Sequence, residues 1–205
     1  MTAPSVPIEI RHETERYFVR PLTADDASER VGAWLADPHT ARMLNAPARV
    51  ARLDELRKYF TAHDGIKTHI LGMFDKASGK LLGVRSVYID WNRREFLVNA
   101  LVGERGPGGA GVSLETARPL LHFLFEELDL LCLRASVLAR NEKVERQLAE
   151  RNIVPEHVSF KPSVHEAEPE KLHHYSITRE QYRQLVAARL ERERLDEAAG
   201  LRKAS

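Results

Sequence analysis

The sequence predicts an α/β protein that contains an antiparallel meander of strands with helices before and after it. Three β-type segments follow one another at residues 69–74, 80–90 and 95–102, and the short turns between them predict an antiparallel meander. Segments with helical periodicity precede and follow these strands. A glycine-rich turn at residues 103–111 then leads directly from the last strand into an amphipathic helix.

The first part of the chain predicts an arm, a strand and two helices. Residues 1–15 are polar and contain proline, which is typical of a flexible arm. A strand at 17–22 precedes a helix-start signal at Thr23, and a helix is expected from there to about residue 36. Asp37-Pro38 is expected to end this helix, and a second helix follows at residues 51–60.

The second part of the chain alternates helices and strands. Apolar side chains recur at three- and four-residue spacing after the glycine turn, which predicts a helix to about Leu128. The remaining predicted elements are, in order, a strand at 131–139, a helix at 142–151, the two arms of a hairpin at 158–160 and 172–178, and a charged helix at 179–199.

Composition and charge restrict the class of partner. The chain has 31 basic and 30 acidic residues, and a net charge of +1 provides no general attraction to nucleic acid or to an anionic membrane. No run approaches the ~18 apolar residues that cross a bilayer. The start of the chain lacks the pattern of a signal peptide, and a single cysteine, Cys132, forms no internal disulfide. We therefore expect a cytoplasmic protein that needs no metal.

The glycine turn is the segment that carries chemistry. Glycines expose successive backbone N–H groups, and the helix that follows adds its free N–H groups and the positive end of its dipole. Together these groups suit a pyrophosphate. Two alternatives stay open. In the first alternative, the turn is only a flexible connection between strand and helix. In the second, Gly106-x-Gly108-x-x-Gly111 is a dinucleotide-binding fingerprint, although that motif normally follows the first strand of a parallel sheet.

The motifs resemble those of the GNAT superfamily of N-acetyltransferases, most closely the subfamily that acetylates the N-termini of ribosomal proteins. They are, in order, Val19-Arg-Pro-Leu-Thr-Ala-Asp-Asp26, Gly109-Ala-Gly-Val-Ser-Leu-Glu-Thr-Ala117, Phe125-Glu-Glu-Leu128, Ala139-Arg-Asn-Glu142 and Tyr175-Ser-Ile-Thr-Arg-Glu180. The resemblance implies a fold of the α+β kind, with a mixed, centrally splayed sheet of six to seven strands and helices on both faces. It also implies a domain at residues 16–185, followed by a charged helical tail at 186–205.

The resemblance also implies a site for acetyl-CoA or another acyl-CoA. Its phosphates would bind the turn, whose register is open by one residue, so the whole turn is included: Arg105, Gly106, Gly108, Gly109, Ala110, Gly111 and Val112. The pantetheine arm would pair with the backbone of Leu101, Val102 and Gly103. Asn141 matches an asparagine that binds the pantetheine side in the family, and it equally fits a helix N-cap.

The catalytic groups are the least well matched part of the resemblance. Acetyl transfer by direct attack needs an amine that has lost its proton and a group that protonates the leaving thiolate. The family usually has a glutamate where this chain has Leu97-Val98-Asn99, so Glu95, two residues earlier, is the candidate base and Asp90 a weaker one. Val144 occupies the position of the usual hydroxyl group, and Tyr175 and Ser136 are the candidate substitutes.

These motifs imply an enzyme that moves an acetyl group from acetyl-CoA to an amine in a ternary complex. The acceptor is a protein N-terminus or a small amine, and a homodimer is a possible assembly. Two alternatives remain at this stage. One is a CoA-binding protein without transfer activity, and the other is a transferase for a longer acyl-CoA, whose pocket would include Ala100 and Ala135.

Overall fold

An eight-stranded sheet forms the centre of the computed structural model, which describes residues 3–104 and 111–198. The strands, in chain order, are β1 His12–Glu13, β2 Tyr17–Pro21, β3 Thr68–Asp75, β4 Leu81–Asp90, β5 Glu95–Val102, β6 Cys132–Leu138, β7 His157–Lys161 and β8 Glu170–Thr178. Their order across the sheet is β1-β2-β3-β4-β5-β6-β8-β7. The count exceeds the predicted six to seven because the short β1 extends the sheet beyond β2.

The sheet is mixed, as predicted. The pairs from β1–β2 to β4–β5 are antiparallel, β5 and β6 are parallel, and β8 lies antiparallel between β6 and β7. A parallel pair needs a crossover connection, and the glycine-rich segment with the helix after it supplies one between β5 and β6. The predicted meander and the predicted final hairpin are both present.

Helices cover both faces of the sheet. The helices are α1 Glu29–Ala33, α2 Pro38–Leu44, α3 Leu53–Thr61, α4 Val112–His122, α5 Glu142–Ala149 and α6 Arg179–Ala198. One buried cluster contains side chains of α1 and α3, such as Val31 and Phe60, packed with Val84 of β4. A second contains Leu120 of α4 packed with Phe96 of β5. The α1–α3 region and α4 therefore lie on opposite faces of β4 and β5.

The region after β2 contains several short helical elements where the sequence predicts one helix. The expected helix from Thr23 to residue 36 is a 3-10 turn, the short helix α1 and a second 3-10 turn. Asp37-Pro38 ends this region but also begins α2, which the sequence analysis missed. Asp37 accepts from the backbone N–H of Thr40 at 2.7 Å, and Pro38 occupies the first helical position. Proline is well tolerated there because that N–H needs no partner within the helix.

The two ends of the predicted domain are attached to the sheet. Within the expected flexible arm, Ile10 is 1% exposed, the N–H of Ile8 donates to the carbonyl of Gly65 at 2.7 Å, and β1 pairs with β2. The arm is therefore packed against the domain from Ile8 to Glu13. At the other end, Tyr182 of α6 stacks on Phe125 with ring centroids 4.6 Å apart. No helix within the described residues is long and apolar enough to cross a membrane.

Helix α4 joins the core along one stripe. Val112, Thr116, Leu120 and Leu124 recur every four residues and are each 0% exposed. The helix widens into a π-helical turn at Phe123–Glu127, and the Phe125 ring packs edge-on against Phe96 of β5. The first turn of α4 is consequently held at a fixed position beside the end of β5.

Candidate functional site

Strands β5 and β6 remain paired for only part of their length. The pairing begins with Glu95 opposite Cys132 and ends with Leu97 opposite Arg134. β5 then continues with β4 as far as Val102, while β6 continues with β8. Beyond Leu97 the facing edges of the two strands border a gap, which we call the splay. The centrally splayed sheet that the resemblance implies is therefore present.

Only some of the backbone groups assigned to the pantetheine arm face the splay. The N–H of Gly103 donates to the carbonyl of Leu82 on the β4 side at 3.0 Å. Alternate residues of an antiparallel strand direct both backbone groups to the same side, so Leu101 also faces β4, whereas Ala100 and Val102 face the splay. Of the three predicted residues, Val102 has the orientation that the prediction requires. Ala100, which the sequence analysis did not assign to the arm, shares that orientation.

Gly103 is a glycine for a packing reason. A Cβ at this position would lie 1.8 Å from Cδ2 of Trp34, because the indole ring covers the residue. The Nε1–H of Trp34 also donates to Oε1 of Glu104 at 3.3 Å. Trp34 thus fixes the end of β5 from the α1–α3 side.

Gly111 immediately precedes helix α4. Its φ of +83° lies in the left-handed region, which glycine adopts without steric cost. The side chain of Val112 is 0% exposed in the core, so its contribution to a ligand site is limited to its backbone. The other predicted turn residues lie outside the described part of the chain: Arg105, Gly106, Gly108, Gly109 and Ala110.

A buried arginine beneath the first turn of α4 was missed by the sequence analysis. Arg85 of β4 is 4% exposed, and its Nη2 donates to the carbonyl of Ser113 at 2.7 Å. Burial lowers the pKa of Arg85 to about 10, so the guanidinium is still charged at neutral pH. No carboxylate of residues 3–104 and 111–198 forms an ion pair with it, whereas the neighbouring Arg16 is paired with Glu115 at 2.7 Å. The signal in the sequence was an arginine directly after the apolar run Leu81-Leu-Gly-Val84 of strand β4.

Asn141 lies at the start of α5, as predicted. Its side chain makes no capping hydrogen bond, so the structure does not support the N-cap interpretation. Its backbone N–H donates to the carbonyl of Leu138 at 2.8 Å and holds the residue at the end of β6. The half-buried amide side chain remains a candidate contact for a ligand in the splay.

Tyr175 is engaged by a carboxylate. It lies opposite Ala135 in the β6–β8 pair, is 3% exposed, and donates its hydroxyl proton to Oε2 of Glu145 on α5 at 2.5 Å. His173 Nδ1 lies 3.0 Å from the same oxygen. Burial, together with this hydrogen bond, raises the pKa of Tyr175. A tyrosine has one proton to donate, so this arrangement does not leave Tyr175 free to protonate a thiolate.

Glu95 lies at the closed end of the splay. Its Oε1 accepts from Nη2 of Arg134 across the β5–β6 pair at 2.7 Å, and its side chain is 19% exposed. Arg134 also contacts Glu156 at 3.1 Å, so two carboxylates share one guanidinium. The weaker candidate, Asp90, instead accepts backbone N–H groups within the β4–β5 turn, which is a structural task.

Two neighbouring cavities lie along β4 and β5 on the face that carries α1–α3. One, of about 340 Å³, includes Glu95, Leu97 and Arg134. The other, of about 330 Å³, lies under the helices, and we call it the apolar pocket. The apolar pocket is lined by Val31, Trp34, Leu35, Leu44, Arg49, Ala51, Glu55, Leu56, Tyr59, Phe60, Val84, Ser86, Asn99, Ala100 and Leu101.

Comparison with known proteins identifies one family. A family model described as an acetyltransferase (GNAT) domain matches residues 16–152, which is more than half of the chain. No curated protein sequence matches the chain.

Solved structures of acetyltransferases share the fold. A GNAT-family acetyltransferase from Bacillus anthracis is 18% identical, covers 83% of this chain and 99% of its own, and has a TM-score of 0.67. The ribosomal-protein-S5-alanine acetyltransferase of Vibrio fischeri is 18% identical with 83% and 97% coverage and a TM-score of 0.65. The spermidine N-acetyltransferase of Vibrio cholerae, solved with CoA and spermine, is 17% identical with 82% and 99% coverage and a TM-score of 0.66.

Proposed function

Because this chain belongs to the GNAT acetyltransferase family and is therefore an acyltransferase, we propose that it moves the acetyl group of acetyl-CoA to an amine in a ternary complex. The splay is the observation that carries the proposal. Among the described residues, it leaves backbone groups of β5 without a strand partner, directly before the segment that leads into α4. An extended amide-containing arm is the kind of ligand that satisfies such an edge.

The residues around the splay suit the parts of an acyl-CoA. The backbone of Ala100 and Val102 would pair with the pantetheine amides, and Asn141 would contact them from the side of β6. The turn at 105–111 and the start of α4 would take the phosphates, because the first turn of a helix offers free N–H groups and the positive end of its dipole. Arg85 would add a buried positive charge below the first turn of α4. Acetyl-CoA supplies the activated acyl group as a thioester.

The chain must then handle one proton on the acceptor. An ammonium group cannot attack a carbonyl carbon, so one proton has to leave before the C–N bond forms. The tetrahedral adduct carries a second N–H proton, which the departing thiolate takes up as the C–S bond breaks, so that the products are the amide and the free thiol of CoA. Glu95 is the proposed acceptor of the first proton, directly or through a water molecule. Arg134 would orient the carboxylate, and the shared contact with Glu156 would limit how strongly Arg134 holds it.

The direct test is transfer by the purified chain. The purified chain is mixed with peptides or small amines and with one of three donors: acetyl-CoA, succinyl-CoA or octanoyl-CoA. Release of the CoA thiol is followed by absorbance, and the masses of the products are measured by mass spectrometry. We expect acetylated amine and an equal amount of free CoA. A preference for succinyl- or octanoyl-CoA would correct the donor, and no product with any pair would contradict the proposal.

Replacing Arg85 tests the phosphate end of the site. We expect Arg85→Met to weaken acetyl-CoA binding by about tenfold, or about 1.4 kcal/mol, because the buried charge acts on phosphates without full screening by salt. The free energy of unfolding should change little, since methionine removes a buried charge that has no carboxylate partner among the described residues. Isothermal titration and thermal unfolding measure the two quantities.

The control ligand is acetylpantetheine, which has the thioester and the arm but lacks the nucleotide phosphates. Arg85→Met should leave its affinity unchanged. An equal loss for acetylpantetheine and acetyl-CoA would show that Arg85 supports the fold of the site rather than the phosphates.

A further inference from the structure

We infer that the apolar pocket receives an apolar side chain of the acceptor, so that the preferred substrates are amines carrying an aliphatic or aromatic group next to the nitrogen. This inference rests on the proposed function and specifies its substrate class. A volume of about 330 Å³ is at the lower end of the range for small-molecule sites. It suits one side chain better than a whole peptide.

The pocket borders the proposed path of the acyl donor. Its floor includes Asn99, Ala100 and Leu101 of β5. The backbone of Ala100 faces the splay, so the same short segment borders both the pocket and the proposed path of the acyl donor. An amine held at this segment would have its neighbouring substituent in the pocket.

The side chains that line the apolar pocket favour an apolar group of the acceptor over a further positively charged group. Most of the wall is aliphatic or aromatic, as at Trp34, Leu56 and Phe60. The two charged residues among those that line it, Arg49 and Glu55, form an ion pair with each other at 2.7 Å. A polyamine carries further ammonium groups and needs carboxylates that are not already neutralised. An apolar side chain gains free energy by displacing water from such walls.

The opening of the pocket favours the acceptor over the tail of a long acyl donor. At its rim, Leu44 and Tyr59 are 42% and 46% exposed. An acceptor has to enter from solvent independently of the acyl-CoA, and an open rim allows this. An acyl tail would instead be delivered from the splay and would favour a closed end.

The polar groups of the floor are few. The Nδ2 of Asn99 lies 3.5 Å from the Oγ of Ser86 on the adjacent strand. Both residues line the pocket, which otherwise offers mainly apolar contacts. A small number of polar groups in an apolar site is typical of sites that orient a ligand. Asn99 and Ser86 are placed to contact the polar atoms beside the acceptor nitrogen.

The experiment compares acceptors and one rim variant. Short peptides with N-terminal Phe, Leu, Ala or Asp, and spermidine, are assayed with acetyl-CoA. We expect kcat/KM for the Phe and Leu peptides to exceed that for Ala by at least about tenfold, which is typical of a filled apolar pocket. Leu44→Glu should remove most of this preference while leaving the KM for acetyl-CoA unchanged. Leu190→Glu on α6, at a residue 48% exposed, is the matched control and should change neither.

The outcomes separate the inference from the proposed function. Efficient acetylation of spermidine or of the Ala peptide in preference to Phe and Leu overturns the inference and leaves the function standing. A preference for octanoyl-CoA that Leu44→Glu abolishes assigns the pocket to the acyl tail and also overturns it. If no amine is acetylated, the function fails. Titration of phenylalaninamide into the CoA-saturated protein then decides the inference, and an absence of binding overturns it.

Discussion

Replacing Glu95 by glutamine is expected to lower turnover by about 10²–10⁴-fold, the range associated with a lost general base. Glutamine keeps the shape of the side chain and a contact with Arg134 but does not accept a proton from an ammonium group. Affinity for acetyl-CoA should stay nearly unchanged, because Glu95 lies at the closed end of the splay. Steady-state kinetics and isothermal titration measure the two effects.

The pH dependence provides an independent check on Glu95. The loss should be partly recovered at high pH, because more of the acceptor is then neutral without help from the enzyme. Glu156→Gln is the matched control, since Glu156 is the other carboxylate on Arg134. It should reduce turnover far less. Full turnover of Glu95→Gln at neutral pH would contradict the assignment and favour an enzyme that merely positions an already neutral amine.

Introducing a carboxylate into the glycine turn should have the other large effect. We expect Gly109→Glu to reduce affinity for acetyl-CoA by at least about 100-fold. A carboxylate about 4 Å from a phosphate near the surface is repelled by about 4 kcal/mol, and its side chain would also cover the N–H groups. The fold should persist, because α4 is anchored by the buried Val112, Thr116 and Leu120. Circular dichroism and isothermal titration test both expectations.

A second glycine provides the control for this charge change. Gly79 lies in the β3–β4 turn with a φ of +68°, and a Cβ there would meet no atom within 4 Å. Gly79→Glu adds the same charge in a different turn of the chain, and it should leave acetyl-CoA affinity unchanged. Comparable losses in both variants would show that net charge or stability, rather than the turn at 105–111, controls binding.

Most elements of the fold were predictable because their signals are local. Three β-type segments joined by short turns predicted the meander, and apolar residues at three- and four-residue spacing predicted α4. Asp37-Pro38 was misread because the same pair ends one helix and begins another, and only the N-cap hydrogen bond to Thr40 distinguishes the two. The expected flexible arm was an error of a different kind. The segment was predicted to be flexible because it is polar and contains proline, yet Ile10 is buried in the core.

The site was less accessible to prediction because it depends on contacts between distant segments. Glu95 was identifiable as an acid near the splay, but its pairing with Arg134 arises only where β5 meets β6. The hydrogen bond from Tyr175 to Glu145 joins residues 30 positions apart. The apolar pocket combines α1, α2, α3, β4 and β5, and no single segment of the sequence displays it.

The position of Trp34 makes it an intrinsic fluorescence probe of ligand binding. The chain has two tryptophans, and Trp91 is held in the core by a 2.9 Å hydrogen bond from its Nε1 to the carbonyl of Ile66. The indole of Trp34 instead lies between Gly103 and the apolar pocket. Changes in intrinsic fluorescence should therefore come mainly from Trp34. Rapid-mixing experiments with donor and acceptor, using Trp34→Phe as the blank, should reveal which of the two binds first.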